Sequence, residues 1–319
     1  MVAVSPFRDE RSVSRSRGMI ELTPSGQVLG ATIEGLDLSR PLSQSDFAAI
    51  IRALGTYGVI CFPRQTLDAA SLKRFSGRFG TLEVNVAGTF QEPGIPEIMI
   101  LSNMVEDGRP IGMADAGQDW HTDMSYSKTI AFANVLYGIR IPHRDGHALG
   151  NTEFMNMQAA YEDLPGDIKA RLKDATALHD FNKFWEKMRE KGSDRPPLTA
   201  EQRRRKPPVS HPVFLKHPIT GRTVLYANPG YTVRIDGISE RESDELLELL
   251  FQHQLQPQYK YAHRWTEYDV LMWDDLVTLH NAVADYGPTE HRLIKRCQVM
   301  ADRIFDADYL SAAPGVAPD

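Results

Sequence analysis

Short apolar runs with a period of two, broken again and again by glycine and proline, recur from Ile20 almost to the end of the chain. Side chains alternate between the two faces of a strand, so such runs build sheets that bury one face. The clearest is 132–139, with Ala133, Val135, Tyr137 and Ile139 at alternate positions. Similar runs are read at 57–62 (ended by Pro63), 97–102, 120–123, 151–154, 213–216, 223–228, 231–235, 259–265, 270–273 and 293–299. The turn-rich 217–222 joins two of them as a hairpin.

Helices are fewer. Ser43 caps one expected to reach Leu54 and stop at Gly55, and Asp68 opens a second that runs to about Phe79. Two more are expected at 157–164 and 167–177. Ser239 with Glu242 three residues on forms a capping box, ahead of a helix that buries Leu246, Leu247, Leu249, Leu250 and Phe251. Residues 180–210 place Phe181, Phe184 and Trp185 among charges and end in the basic run 203–206. They are read as a surface insertion with a helical start, its basic run solvated and its aromatics placed to cover a ligand.

No internal repeat or domain boundary interrupts this order. It predicts one mainly β domain with flanking helices (α+β), over 19–306, built on a β-sandwich or jelly roll. A disordered tail at 1–18 and a C-terminal tail at 307–319 flank it. The Arg/Ser-rich start lacks the apolar core of a secretory signal.

Charge and composition exclude several roles. A net charge of -6 with a pI near 5.9 argues against a general nucleic-acid binder. No run of 18 apolar residues offers a membrane span. Cys61 and Cys297 stand far apart without metal-type spacing, which fits a reducing, cytoplasmic setting. The expected partner is a small molecule, and a homo-oligomer is left open.

The chemistry centres on Trp120-His121-Thr122-Asp123. An imidazole and a carboxylate two residues apart on a strand share a face and can take adjacent positions on a divalent metal. His280, in Val277-Thr278-Leu279-His280, would complete a facial triad of the kind used by non-haem Fe(II) oxygenases. The plainer reading of either histidine is a hydrogen-bonded core residue. Downstream, Arg292 and Arg296 lie four apart on an expected strand and so share a face. If that face is inward, their donors require anions; if it is an exposed edge, they do not.

Taken together, His121-Thr122-Asp123, Thr152 in GNTEF, Trp273-Asp274 leading to His280, and Arg292 with Arg296 resemble the taurine dioxygenase and 2,4-dichlorophenoxyacetate dioxygenase family. The stretches MQAAYEDLP, TGRTVLYANPGYTVRI and NAVADYGP extend the likeness from about Ile20 to Phe305. The resemblance implies a double-stranded β-helix (jelly-roll) core and an Fe(II)- and 2-oxoglutarate-dependent dioxygenase that consumes O2. It implies Fe(II) ligation by His121, Asp123 and His280, and cosubstrate binding by Arg292 and Thr152. Arg296 matches the position that meets the acidic group of a small anionic organic substrate, and Tyr231 an aromatic beside it.

Hydroxylation is the implied reaction, because halogenating relatives lack the carboxylate retained here as Asp123. Hydroxylation next to a heteroatom would go on to C-O or C-S cleavage. The chain has Trp273-Asp274-Asp275-Leu276 where the family commonly has Trp-Asp-Asn-Arg, Leu149-Gly150 where it has paired glycines, and no histidine in 80–100, where taurine-type members have one. Two other readings stand beside this one: a metal-dependent isomerase or hydrolase using the same triad for Zn2+ or Mn2+, and a non-catalytic anion-binding sensor.

Overall fold

The computed structural model describes residues 20–84, 89–193, 195–306 and Tyr309. The tails expected at 1–18 and 307–319 lie outside these residues, Tyr309 excepted. The largest sheet has eight strands in the order Glu21–Pro24, Ala31–Glu34, Val59–Phe62, Val270–Asp274, Ala131–Arg140, Leu293–Met300, Ile95–Ser102 and Gln91–Glu92. Neighbours run antiparallel except Ala31–Glu34 beside Val59–Phe62. A three-stranded sheet holds Thr152–Asn156 between Lys260–His263 and Thr278–Ala282. Another holds Thr176–His179 between Val209–Pro212 and Thr232–Ile235.

The period of two decides which layer each residue joins. On Ala131–Arg140, Ala133, Val135 and Tyr137 pack with Ile50 and Leu54 of the helix Gln44–Tyr57 and with Leu72 and Phe75 of Ala69–Ser76. Leu136 faces the other way, into a cluster with Cys61, Leu271, Trp273 and Phe154, the last contributed by the opposing three-stranded sheet. The Phe154 and Trp273 rings meet edge-on at 5.3 Å. The chain is therefore mainly β, with helices covering the outer face of the large sheet. Among the described residues no helix is long and apolar enough to cross a membrane.

Several local expectations are corrected. The first helix runs through Gly55 and ends at Gly58, whose φ of 67° favours glycine. Gly55 serves packing instead, since a Cβ there would lie 2.7 Å from the Ile219 side chain. The helix expected at 167–177 spans Gly166–Leu172, and Thr176–His179 is a strand with partners on both sides. Residues 120–123 form no strand; His121 makes one isolated bridge to His280. In the helix Glu240–Gln254 the buried positions are Ser243, Leu247, Leu250 and Gln254, while Leu249 is exposed. The insertion contains the helices Phe181–Glu190 and Ala200–Arg205.

Candidate metal centre and anion sites

His121 lies on a loop and His280 on the strand Thr278–Ala282, and reciprocal backbone bonds join them. His121 N–H donates to His280 O at 3.2 Å, and His280 N–H donates to His121 O at 2.8 Å. Residues paired across a ladder present their side chains to the same side, and here the two rings stand 4.2 Å apart. The loop turns through two non-glycine residues in the left-handed region, Asp119 (φ 76°) and Met124 (φ 55°), which bracket His121 and Asp123. Asp119 accommodates this by accepting a bond from the Trp120 N–H at 2.9 Å. Gly230 makes room from the other side, where a Cβ would fall 2.5 Å from the His121 Cβ.

The donor set fits a divalent cation. His121 Nδ1 lies 2.8 Å from Asp119 O, a bond that needs the proton on Nδ1 and leaves Nε2 as the ring nitrogen that faces the other two side chains. His121 Nε2 is 3.5 Å from Asp123 Oδ1, and His280 Nε2 is 4.0 Å from Asp123 Oδ2. All three side chains are buried, and their ligand atoms lie within 4.8 Å of one another. Burial, then the neighbouring His121, hold His280 well below the ordinary imidazole range, so it is neutral. Burial pushes the Asp123 carboxyl up, but Arg296 and the two imidazoles outweigh it and keep the group ionised. Two imidazoles and a carboxylate are the ligand types of a facial triad.

Behind the triad lies a network that sequence reasoning missed. Asn134 Nδ2 donates to Asp123 Oδ2 at 3.0 Å and to Asp275 Oδ2 at 2.8 Å. Asp275 also accepts from Trp273 Nε1 at 3.0 Å, and its Oδ1 stands 3.8 Å from His280 Nδ1. Burial and the Asp123 charge push the Asp275 carboxyl well up. The departure from the family pattern at Asp275 thus provides supporting contacts of its own. The visible sign of Asn134 was one amide in an otherwise apolar strand.

The arginines occupy different surroundings. Arg292, just before the strand Leu293–Met300, is buried; its Nε has no partner, and it makes no ion pair among the described residues. Its guanidinium carbon lies 5.9 Å from the centre of the Tyr286 ring. Gly150 approaches so closely that a Cβ would lie 3.1 Å from Arg292 Nε. Thr152, two residues on, is buried and accepts from Trp265 Nε1 at 3.0 Å. Arg296 is half-buried and reaches the triad, with Nη1 3.2 Å from Asp123 Oδ2 and Nη2 3.3 Å from Met99 Sδ. A register irregularity between Leu293 and Ile294 separates the two arginines.

A cavity of about 150 Å3 opens onto His121, Asp123 and Arg296. Its apolar wall includes Phe181, Phe184 and Trp185 of the insertion, together with Tyr126 and Tyr231. Phe184 packs 4.8 Å from the His121 ring and 5.2 Å from the Tyr231 ring. Ion pairs tie the insertion to the ligand-bearing loop: Lys187 and Lys191 reach Asp119 Oδ2 at 2.6 and 2.9 Å, and Arg195 reaches Asp115 at 2.9 Å. The basic run divides. Arg203, Arg204 and Arg205 are exposed, whereas Lys206 is half-buried and borders the cavity.

A model of the taurine catabolism dioxygenase TauD, TfdA family matches residues 21–298. The pentalenolactone F synthase of Streptomyces avermitilis is 32% identical over 299 residues, covering 90% of this chain and 96% of that protein. The alpha-ketoglutarate-dependent 2,4-dichlorophenoxyacetate dioxygenase of a Burkholderia species is 30% identical, over 85% of this chain and 91% of its own. A crystal structure of a taurine dioxygenase from Burkholderia xenovorans superposes with a TM-score of 0.71 at 29% identity, covering 89% of this chain and 90% of the other.

Proposed function

Because the chain belongs to the taurine catabolism dioxygenase TauD, TfdA family, and is thus an oxidoreductase of the alpha-ketoglutarate-dependent dioxygenase type, we propose that it hydroxylates a small organic anion with an apolar body, using Fe(II), 2-oxoglutarate and O2. The observation that carries this reading is the convergence of His121, Asp123 and His280 on one point, beside a cavity with an aromatic wall and with Arg195, Lys206 and Arg296 on its lining. Held by His121, Asp123 and His280, Fe(II) would supply the chemistry that couples oxidative decarboxylation of 2-oxoglutarate to C-H hydroxylation. The facing sheets are read as the double-stranded β-helix of the family. Two buried free cysteines suit a reducing compartment such as the cytoplasm.

Each residue has a part that follows from its surroundings. His121 and His280 would hold the cation through ring nitrogens, and Asp123 would bring a negative charge beside it. Arg292, buried without an anion, takes the distal carboxylate of 2-oxoglutarate as a charge-assisted pair, with Thr152 beside it. Arg296, on the lining of the same cavity beside Asp123, would meet the acidic group of the substrate. Phe184, Trp185 and Tyr231 hold the apolar body and exclude water, which fixes the carbon presented for reaction.

An aryloxy acid, a sulfonate or a sulfate ester would meet these requirements, and an aromatic or alicyclic body would fill the aromatic wall better than an aminoethyl chain. The experiment is a screen of Fe(II)-loaded protein for succinate release in air with 2-oxoglutarate and a panel of such acids. Release stimulated by at least one acid is expected. Protein that binds both Fe(II) and 2-oxoglutarate yet releases no succinate with any acid would contradict the reading.

A further inference from the structure

A second cluster of metal-ligand side chains lies away from the triad. Cys61 projects from Val59–Phe62 into the space between the sheets, His263 ends the strand Lys260–His263, and Asp269 immediately precedes Val270–Asp274. All three are buried, and their sulfur, nitrogen and oxygen atoms lie within 4.8 Å of one another. The turn above them, 266–268, is exposed, so the cluster lies one residue layer below solvent.

The protein groups alone leave this cluster unsatisfied. Asp269 Oδ2 accepts from the Thr266 N–H at 2.9 Å. Burial, with Asp269 beside it, pushes the Cys61 thiol up, so the thiol keeps its proton and donates to Asp269. His263 Nε2 has no hydrogen-bond partner; its nearest acidic atom is Asp269 Oδ2 at 3.7 Å, too long for a bond. A buried orphan nitrogen costs about 1–3 kcal/mol. Asp269 meets no Lys or Arg among the described residues, although a buried carboxylate calls for a countercharge.

We propose that Cys61, His263 and Asp269 bind a zinc ion. A tetrahedral zinc site with ordinary bond lengths separates a nitrogen from an oxygen ligand by roughly 3.3–3.5 Å, within a few tenths of the separation seen here. Thiolate, a soft donor that the triad lacks, selects zinc over magnesium or calcium. Binding displaces the thiol proton, satisfies His263 Nε2 and leaves a fourth position for water. The ion would clamp the large sheet to the small one next to Thr152, which pairs in register with His263 and accepts from Trp265 two residues on.

Cobalt titration of the metal-stripped, reduced full chain tests this, because thiolate-to-Co2+ charge transfer absorbs in the near ultraviolet and the triad has no sulfur. The expected result is binding of a second equivalent of Co2+ accompanied by this absorption. The band is retained in His121→Ala, bleached by Zn2+, and lost in Cys61→Ser and His263→Gln. In His121→Ala, Zn2+ at a hundredfold excess over its Kd should raise the Tm by about 5 °C. Saturating Co2+ that gives no such band in the unmodified chain, or a band that survives Cys61→Ser, would overturn the proposal.

Discussion

At the scale of single residues, two arginines four positions apart have different parts. Arg292→Ala leaves a buried carboxylate unpaired, so the KM for 2-oxoglutarate should rise roughly 10²-fold with a smaller effect on the prime substrate. Arg296→Ala should mainly raise the KM of the prime substrate. Steady-state kinetics varying each substrate in turn will show the split, and equal effects would mean the roles are wrongly assigned. Gly230→Ala forces a Cβ to within 2.5 Å of the His121 Cβ. Overpacking of this kind costs about 1–3 kcal/mol, and metal titration should show weaker binding even where the variant stays folded.

The candidate donors were legible in the sequence, because H-x-D and a distant His in an apolar context name donor types whatever their backbone. Their geometry was not. His121 and Asp123 share a site through left-handed turns at Asp119 and Met124, not through a strand. Asn134 and Asp275, 141 residues apart in sequence, meet only because the strands Ala131–Arg140 and Val270–Asp274 are neighbours in space.

At the scale of elements, the helix Phe181–Glu190 and the segment after it carry the wall over the triad. Lys183 on this helix is mostly enclosed, with Nζ donating to Thr232 O at 2.6 Å. Burial, then Lys187, hold its ammonium down from 10.5 to about 8. Between these values the unfolded chain binds a proton that the folded chain has lost. Stability from this group therefore rises with pH across that window, is complete above about 10.5 and is lost as pH falls through about 8. Denaturant titrations of the native chain and Lys183→Met from pH 7 to 10.5 should show the difference growing in favour of the native chain; a difference that is flat or shrinks would contradict it.

Strands such as Ala131–Arg140 were evident because alternation and length both favoured them. Thr176–His179 was not. Four residues beside a helix carry too little period to be told from its last turn, and only the pairing with Val209–Pro212 and Thr232–Ile235 decides. The insertion's aromatics stood out in the sequence and line the cavity, but the ion pairs from Lys187 and Lys191 to the residue that bonds His121 were not legible.

At the scale of the whole molecule, the triad joins the two layers of the sandwich. His280 belongs to the three-stranded sheet, while Asp123 is held by Asn134 and Arg296 from the eight-stranded one. A cation bound there stabilises the native state by roughly 2.7 kcal/mol at a hundredfold excess over its Kd. Calorimetry with Mn2+ in place of iron should record an increase in Tm that His280→Ala abolishes. The most direct measurement is succinate formation in air by the Fe(II)-loaded chain and by His121→Ala and Asp123→Ala, each checked for fold by circular dichroism. Oxygen-dependent succinate is expected from the native chain and none from either folded variant; full turnover in either would overturn the metal assignment.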